Sequence, residues 1–350
     1  MLIVVHIISI TRIIFITLTH NHLHFLMFRS LSYNHKHLKF LTNPTTRVLR
    51  RNMSSSTVVT IPGPTQKNKN KIIVIMGATG SGKSKLSIDL VTRHYPFSEI
   101  INSDKIQITK GLNITTNKIT VPDRRGVVHH LLGEIDPDFN FSPSHFRSIA
   151  GQRINSIINR HKLPFLVGGS NSYIYALLTN RFDPDFNPDS NPVHFISNEL
   201  RYNCCFIWVD VLNPVLNEYL DKRVDEMMNS GMYEELEQFF KENRFSDPGL
   251  EPGRATGLRK AIGVPEMERY FKKSCTYEEA VREIKENTWR LAKKQMWKIQ
   301  RLREAGWDLQ RVDATEAFVE AMSNKKEKGI IWEKQVVEPS VKIVNRFLLD

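Results

Sequence analysis

The sequence predicts an α/β protein: a parallel sheet with helices on both faces, joined to a smaller, mostly helical portion that serves as a lid or insert. Three observations predict it. Short apolar, β-branched runs alternate with helical spacing between residues 71 and 211. A Gly-rich loop, GATGSGKS, directly follows the first of these runs. From about 212 to 306 the pattern is helical.

The elements follow in order. KIIVIM (71–76) reads as a buried strand. SKLSIDLVTRH (84–94) has helical spacing, with Leu86, Leu90 and Val91 on its apolar side. EIINSD (99–104), LPFLVGG (163–169) and CCFIWVDV (204–211) are further buried-strand candidates. NPVLNEYLDKRVDEMMNSGM predicts a helix stopping near Gly231, and YEELEQFFKE a second. The stretch 276–306 predicts the longest helix, with Val281, Ile284, Thr288, Leu291 and Ile299 along one stripe. SNKKEKG (323–329) reads as a solvated turn.

The N-terminal part has another character. The chain has 350 residues and a net charge of +12. Residues 1–52 contain no Asp or Glu and seven Arg and Lys, so the remainder carries only +5. Much of the basicity that would suggest a nucleic-acid binder therefore belongs to this tail. An acid-free, Arg-bearing start rich in Ser, Thr and apolar residues predicts an organelle transit peptide. With the polar, turn-rich stretch after Met53, it makes residues 1–60 a leader and linker ahead of a domain at 70–350. A plastid address is expected; a mitochondrial one, or a cytosolic protein starting at Met53, is the alternative. Arg12 interrupts the opening apolar run, so a clean membrane span of about 20 apolar residues is missing. Three cysteines without metal spacing argue for a reducing compartment.

GATGSGKS matches the phosphate-binding pattern G-x-x-x-x-G-K-[ST] in the required context, after a strand and before a helix. Gly77, Ala78, Thr79, Gly80, Ser81 and Gly82 form a loop whose backbone N–H groups close around phosphate oxygens. The following helix start adds a favourable dipole. Lys83 reaches the terminal phosphate, and Ser84 is the expected Mg²⁺ ligand. Asp104, in NSDKIQ, ends the second strand and should face this loop, because ligands of open α/β sheets lie beyond the carboxyl ends of strands. It serves either as a proton acceptor or as a cap on the following turn. VGGSNSY offers Gly169, Ser170 and Asn171 at a third strand end. Asp210 resembles a Walker B carboxylate. Arg223, Arg259, Lys260 and Lys293 are cations of the helical region that together could close over an anion. His129 and His130 lack partners at metal-ligand spacing and read as structural groups or substrate contacts.

These motifs, in this order, resemble the plant adenylate isopentenyltransferases of cytokinin biosynthesis from about Lys71 to Leu348. The resemblance rests on GATGSGKSKLSIDL, EIINSDKIQITKGLNITTNKIT, HHLLG, VGGSNSYIYALL, CCFIWVDV, KRVDEMMNSGM, LRKAIGVPE, NTWRLAKKQMWKIQRL and QRVDAT. One departure is Val128, where the family usually has proline before the paired histidines. The resemblance implies a P-loop NTPase-like sheet whose cradle holds the diphosphate of dimethylallyl diphosphate with Mg²⁺. An adenine nucleotide is then the acceptor. Its exocyclic N6 attacks C1 of the prenyl group, Asp104 takes the proton, and diphosphate leaves. A monomer with no membrane or stable nucleic-acid partner is expected. The sister family that prenylates tRNA usually has Ser after the catalytic Asp, and its eukaryotic members often carry a C-terminal Cys/His zinc module. Here that residue is Lys105 and no such module exists. A small-molecule kinase shares only the P-loop, and a non-catalytic basic nucleic-acid binder is the reading from a different class.

Overall fold

A computed structural model describes residues 69–186, 188–242, 257–323 and 329–350, and the backbone of two short strands nearer the start. The chain divides into two units, Met1–Thr60 and Ile61–Asp350. In the first, β1 (Thr17–Thr19) pairs antiparallel with β2 (His22–His24). The expected leader otherwise lies outside the described residues, as do most of the linker after Met53 and the core of the turn at 323–329.

The second unit is built on six strands: β3 (Lys71–Gly77), β4 (Ser98–Asn102), β5 (His129–His130), β6 (Leu163–Gly168), β7 (Asn203–Asp210) and β8 (Leu309–Asp313). They pair in parallel in the order β5-β4-β6-β3-β7-β8. The four strands expected from apolar runs are the four inner ones. Strands covered on both faces need apolar residues at every position, and this makes them legible. The edge strands β5 and β8 are too short and polar to carry that signal.

Alternation along β3 sends its side chains to opposite layers. Ile73 and Ile75 pack with Leu86 and Leu90 of α1 (Lys83–Arg93) and with the C-terminal residues Trp332, Val336 and Val344. Ile72, Val74 and Met76 pack with Phe146 and Ile154 of α2 (Pro143–Asn159) and Tyr173 of α3 (Asn171–Leu178). Ile299 and Leu302 of the long helix join the same layer. The α2 start is fixed by a capping box in which Ser142 and His145 exchange hydrogen bonds.

A third apolar cluster forms the helical portion: α4 (Asn213–Met227), α5 (Tyr233–Glu242), α6 (Val264–Phe271) and the first half of α7 (Tyr277–Glu304). The portion is rooted in the sheet rather than separate from it. Leu216 and Leu220 of α4 belong to the sheet's core while Val224, a turn later, belongs to the helical one. α7 does the same in reverse, Ile284 lying in the helical cluster and Ile299 under the sheet. A left-handed Gly231 (φ 100°) ends the α4 run where the sequence placed its stop. Two helices that the sequence did not single out complete the back of the sheet. These are α8 (Thr315–Met322) and a C-terminal run whose regular parts are α9 (Ile330–Trp332) and α10 (Glu338–Leu349).

The paired histidines have structural partners. His130 Nε2 lies 2.7 Å from Glu99 Oε2, and His129 Nδ1 lies 2.9 Å from the Val127 carbonyl. Glu99, 1% exposed on β4, also accepts from Arg160 and, at 2.7 Å, from Lys162. Arg160 above all, then Lys162 and His130, hold its carboxyl down at about 2 against the opposing effect of burial. A carboxylate with a depressed native pKa stabilises the fold above its unfolded value, and that contribution is lost as pH falls through the native value. Stability is therefore expected to fall between about pH 4.5 and pH 2. Glu99→Gln should lower stability at neutral pH and flatten this acid slope. Urea unfolding across pH 2–7 checks both; an unchanged slope in the variant would refute the assignment.

Candidate active site

The carboxyl ends of β3, β4 and β6 converge on one cavity of about 400 Å³. Its floor is the Gly-rich loop between β3 and α1. Thr79, Gly80, Gly82, Lys83 and Ser84 line it, whereas Gly77, Ala78 and Ser81 turn the loop from beneath. Lys83 Nζ donates to the Ala78 carbonyl at 2.6 Å, across the loop. Burial lowers its pKa to about 8; nearby Asp104 opposes this shift and Arg223 adds to it. Arg223 enters from α4 and donates to Thr79 Oγ1 at 3.1 Å, while its Nε has no partner among the described residues. Two cations thus meet at a loop of N–H donors, an arrangement suited to a polyanion.

Asp104 lies just past β4 and lines the same cavity. Its Oδ1 accepts from the Ile106 and Gln107 amides at 3.0 and 3.3 Å. The capping role and the cavity-facing role therefore coexist. The cap aims the carboxylate, and among the described residues its bonds run through Oδ1. Facing it is a loop bearing Thr115 and Asn117, tied down by Glu235 of α5. Val224, Met227, Ile262, Ile284 and Leu291 give the wall an apolar stretch, beside Thr288 and Lys260.

Other expected site residues lie elsewhere. Asp210 is buried against Arg311, its Oδ2 2.7 Å from Nε, so the Walker B resemblance ends in a structural ion pair between β7 and β8. Lys293 sits on the exposed side of α7, because the stripe that enters the cavity runs through 284, 288 and 291. Of the neighbouring pair, Lys260 lines the cavity and Arg259 does not. Gly169, Ser170 and Asn171 are scaffolding. Ser170 Oγ accepts from the Lys105 amide at 2.7 Å, and Asn171 Nδ2 donates to the Gln295 carbonyl at 3.1 Å. It is Gly168 that reaches the cavity. Lys105 as a residue is exposed, yet desolvation of its ammonium, followed by the neighbouring cations Lys260 and Lys298, lowers its pKa.

Gln295 went unnoticed in the sequence. Its Oε1 accepts from the Thr79 amide at 2.7 Å, and its Nε2 donates to the Gly169 carbonyl at 3.0 Å. A Cβ at Gly169 would stand 2.5 Å from that Nε2, so the glycine is required for this approach. One buried side chain of α7 thereby joins the phosphate loop to the β6 loop. A glutamine on the mostly apolar stripe of a long helix was the available signal.

The residues fit Mg²⁺ bound with a phosphate ester: Ser84 presents a hydroxyl to the cavity beside Lys83, and oxygen donors suit a hard cation. Among the described residues no cluster of His, Cys, Asp and Glu could hold a metal alone.

Fold and site together define a group-transfer enzyme of the P-loop NTPase-like type, with an acidic residue opposite its phosphate loop. The sequence pattern of one family, IPP transferase, matches residues 107–194 and 186–301. An adenylate isopentenyltransferase of Humulus lupulus is 55% identical over 298 residues, covering 78% of this chain and 89% of its own. The chloroplastic adenylate isopentenyltransferase 1 of Arabidopsis thaliana is 52% identical over 305 residues, covering 81% and 83%. The chain belongs to the IPP transferase family and is a prenyltransferase. Among solved structures, a eukaryotic dimethylallyltransferase acting on tRNA superposes with a TM-score of 0.66 at 23% identity, over 80% of this chain and 79% of that one. That likeness establishes the shared fold.

Proposed function

We propose that this enzyme transfers the dimethylallyl group of dimethylallyl diphosphate to N6 of ATP or ADP, and less well of AMP, releasing diphosphate: the first step of cytokinin biosynthesis. The observation that carries this is the single cavity shared by Asp104, Lys83 and Arg223. The loop amides, Lys83 and Arg223 take the diphosphate. The apolar wall of Val224, Ile284 and Leu291 takes the prenyl chain and keeps water from its C1. N6 forms its bond to C1 as the C1–O bond breaks; the electron pair leaves with diphosphate, and the N6 proton goes to Asp104. An aromatic amine is a weak nucleophile, so a base held in position contributes directly. Mg²⁺ held at Ser84 would supply charge neutralisation for the leaving group.

Acceptor choice follows from the cations around Lys105. Lys105 lies near Lys260, which lines the cavity, and the two lysines suit the phosphates of a free nucleotide; Lys298, the third cation near Lys105, is paired with Asp189. The enzyme is taken to act as a monomer without stable nucleic acid. Relatives in Arabidopsis carry chloroplastic and, in one case, mitochondrial names. Among the described residues no helix is long and apolar enough to cross a membrane. We assign residues 1–60 as a plastid transit peptide; a reporter bearing them that stayed cytosolic or entered mitochondria would reverse this.

The test is incubation of the purified chain with dimethylallyl diphosphate and, separately, ATP, ADP, AMP and a tRNA. N6-prenylated ATP and ADP are expected, and efficient modification of tRNA would overturn the acceptor. Asp104→Ala should fold normally and lower turnover by about 10²–10⁴-fold, the usual worth of a general base; near wild-type turnover would remove it from the chemistry. Lys105→Ser should erode the preference for ATP and ADP over AMP by about tenfold, in line with 1–3 kcal/mol for a charged hydrogen bond. Ratios of kcat/KM for the three nucleotides read this directly, and unchanged ratios would exonerate Lys105.

A further inference from the structure

We propose that the C-terminal segment from Gly329 to Leu349 is the back wall of the phosphate cradle, and that Trp332 is a positioning residue for diphosphate binding. This rests on the reading that the cradle holds a diphosphate.

The indole of Trp332 is 6% exposed and lies against the loop where it becomes α1. Gly82, the residue before Lys83, has φ +90°. A Cβ there would stand 2.8 Å from Cη2 of Trp332 and 3.0 Å from its Cζ3. Gly82 therefore meets two demands that exclude a side chain, a left-handed turn and the close approach of an aromatic ring. The ring is itself fixed. Its Nε1 donates to Asp89 Oδ2 at 2.9 Å, a bond buried between α1 and the C-terminal segment. The same carboxylate accepts from Lys85 at 2.9 Å and Arg125 at 3.2 Å. Lys85 Nζ also lies 4.3 Å from the centroid of the Trp332 ring.

The rest of the segment is tied to the two elements that carry the loop. Glu333 pairs with Arg93 at 2.8 Å, and Asn345 accepts from Tyr95 at 2.8 Å. Lys71, at the start of β3, donates to the Phe347 and Leu348 carbonyls at 3.1 and 3.0 Å. β3, the loop, α1 and the C-terminal segment thus form one braced unit. Trp332 lines no part of the cavity, so its effect on a ligand must pass through Gly82 and Lys83.

Backbone donors bind an anion well only when their directions are fixed beforehand. Without the indole, the Gly82–Lys83 junction loses the surface it rests on. The cost should fall on ground-state capture of diphosphate rather than on the reacting atoms around Asp104.

The experiment uses the full chain and inorganic diphosphate with Mg²⁺ as probe, by calorimetry, beside steady-state kinetics. Trp332→Ala should weaken diphosphate binding and raise KM for dimethylallyl diphosphate about 10- to 100-fold, the range for removing an outer partner that orients a binding group. The KM for the adenine nucleotide and kcat at saturation should stay within about threefold of wild type by the same reasoning. Trp332→Phe keeps the ring against Gly82 and leaves Asp89 its cations Lys85, Arg93 and Arg125, and should restore most of the affinity. A folded Trp332→Ala protein with wild-type diphosphate affinity overturns the proposal, as does a loss confined to kcat. A second measurement needs no variant. Coupling is reciprocal, so diphosphate bound to the wild type should slow amide hydrogen exchange across residues 330–337. Protection of the loop amides without any change at 330–337 overturns the proposal even if Trp332→Ala does not fold. If the wild type binds no diphosphate, the assignment of the cradle itself falls, which distinguishes that failure from this one.

Discussion

A loop that binds an anion through its backbone cannot hold its own shape, because the donors it offers outward are withheld from its own hydrogen bonds. On the proposed function, the stretch Thr79–Gly82 would present N–H groups to a polyanion while lying beside Lys83 and Arg223. Supports on three sides meet that demand. Beneath is β3, at the centre of a parallel sheet and buried on both faces. From the helical side, Gln295 takes the Thr79 amide and ties it to the β6 loop. Behind is the layer of α1 and the C-terminal helices, with Trp332 against Gly82. The Thr79 amide is spent on Gln295 and the Ser81 amide on the Ala78 carbonyl, so the loop gives up two donors to fix the direction of the others.

Charge in the site is arranged around the same loop. Lys83 and Arg223 approach each other in a place where burial disfavours their charged forms, and Asp104 partly offsets this. Such an arrangement costs stability in the free protein. A bound diphosphate would supply the missing negative charge, so the unfavourable term becomes selectivity for a polyanion. Asp104 contributes attraction to Lys83 while its own direction is set by the Ile106 and Gln107 amides. On the proposed function, a carboxylate and two cations in one cavity would serve to break a C–O bond to diphosphate while a proton leaves the incoming nitrogen.

The helical portion supplies what a phosphate loop cannot, a dry surface. α4 and α7 each begin in one apolar cluster and end in the other, so the lid cannot shift without disturbing the sheet. This continuity places Val224 and Ile284 over the cradle and Arg223 within it. On the proposed function, an allylic group transferred in that space would be shielded from hydrolysis by side chains whose positions are set by the protein core.

Residues 71–104 announced themselves in the sequence, because local physics dictates them: an apolar strand, a Gly-rich turn, a helix start and an acid at the next strand end. The inner strands and the long α7 were legible for the same reason, each being a run whose periodicity reports its own burial. The edge strands β5 and β8 were not, since two residues or an open face leave no such pattern. Site membership among isolated polar residues was decided only by tertiary structure. Asp210 and Lys293 looked no less functional than Arg223, yet one is held by Arg311 and another faces away from the cavity. Gln295 and Trp332 looked unremarkable, yet each touches the phosphate loop from more than 200 residues away. A sequence shows what neighbours along the chain do to one another. A helix of 28 residues offers every face to the reader, and only packing selects the one that meets the site.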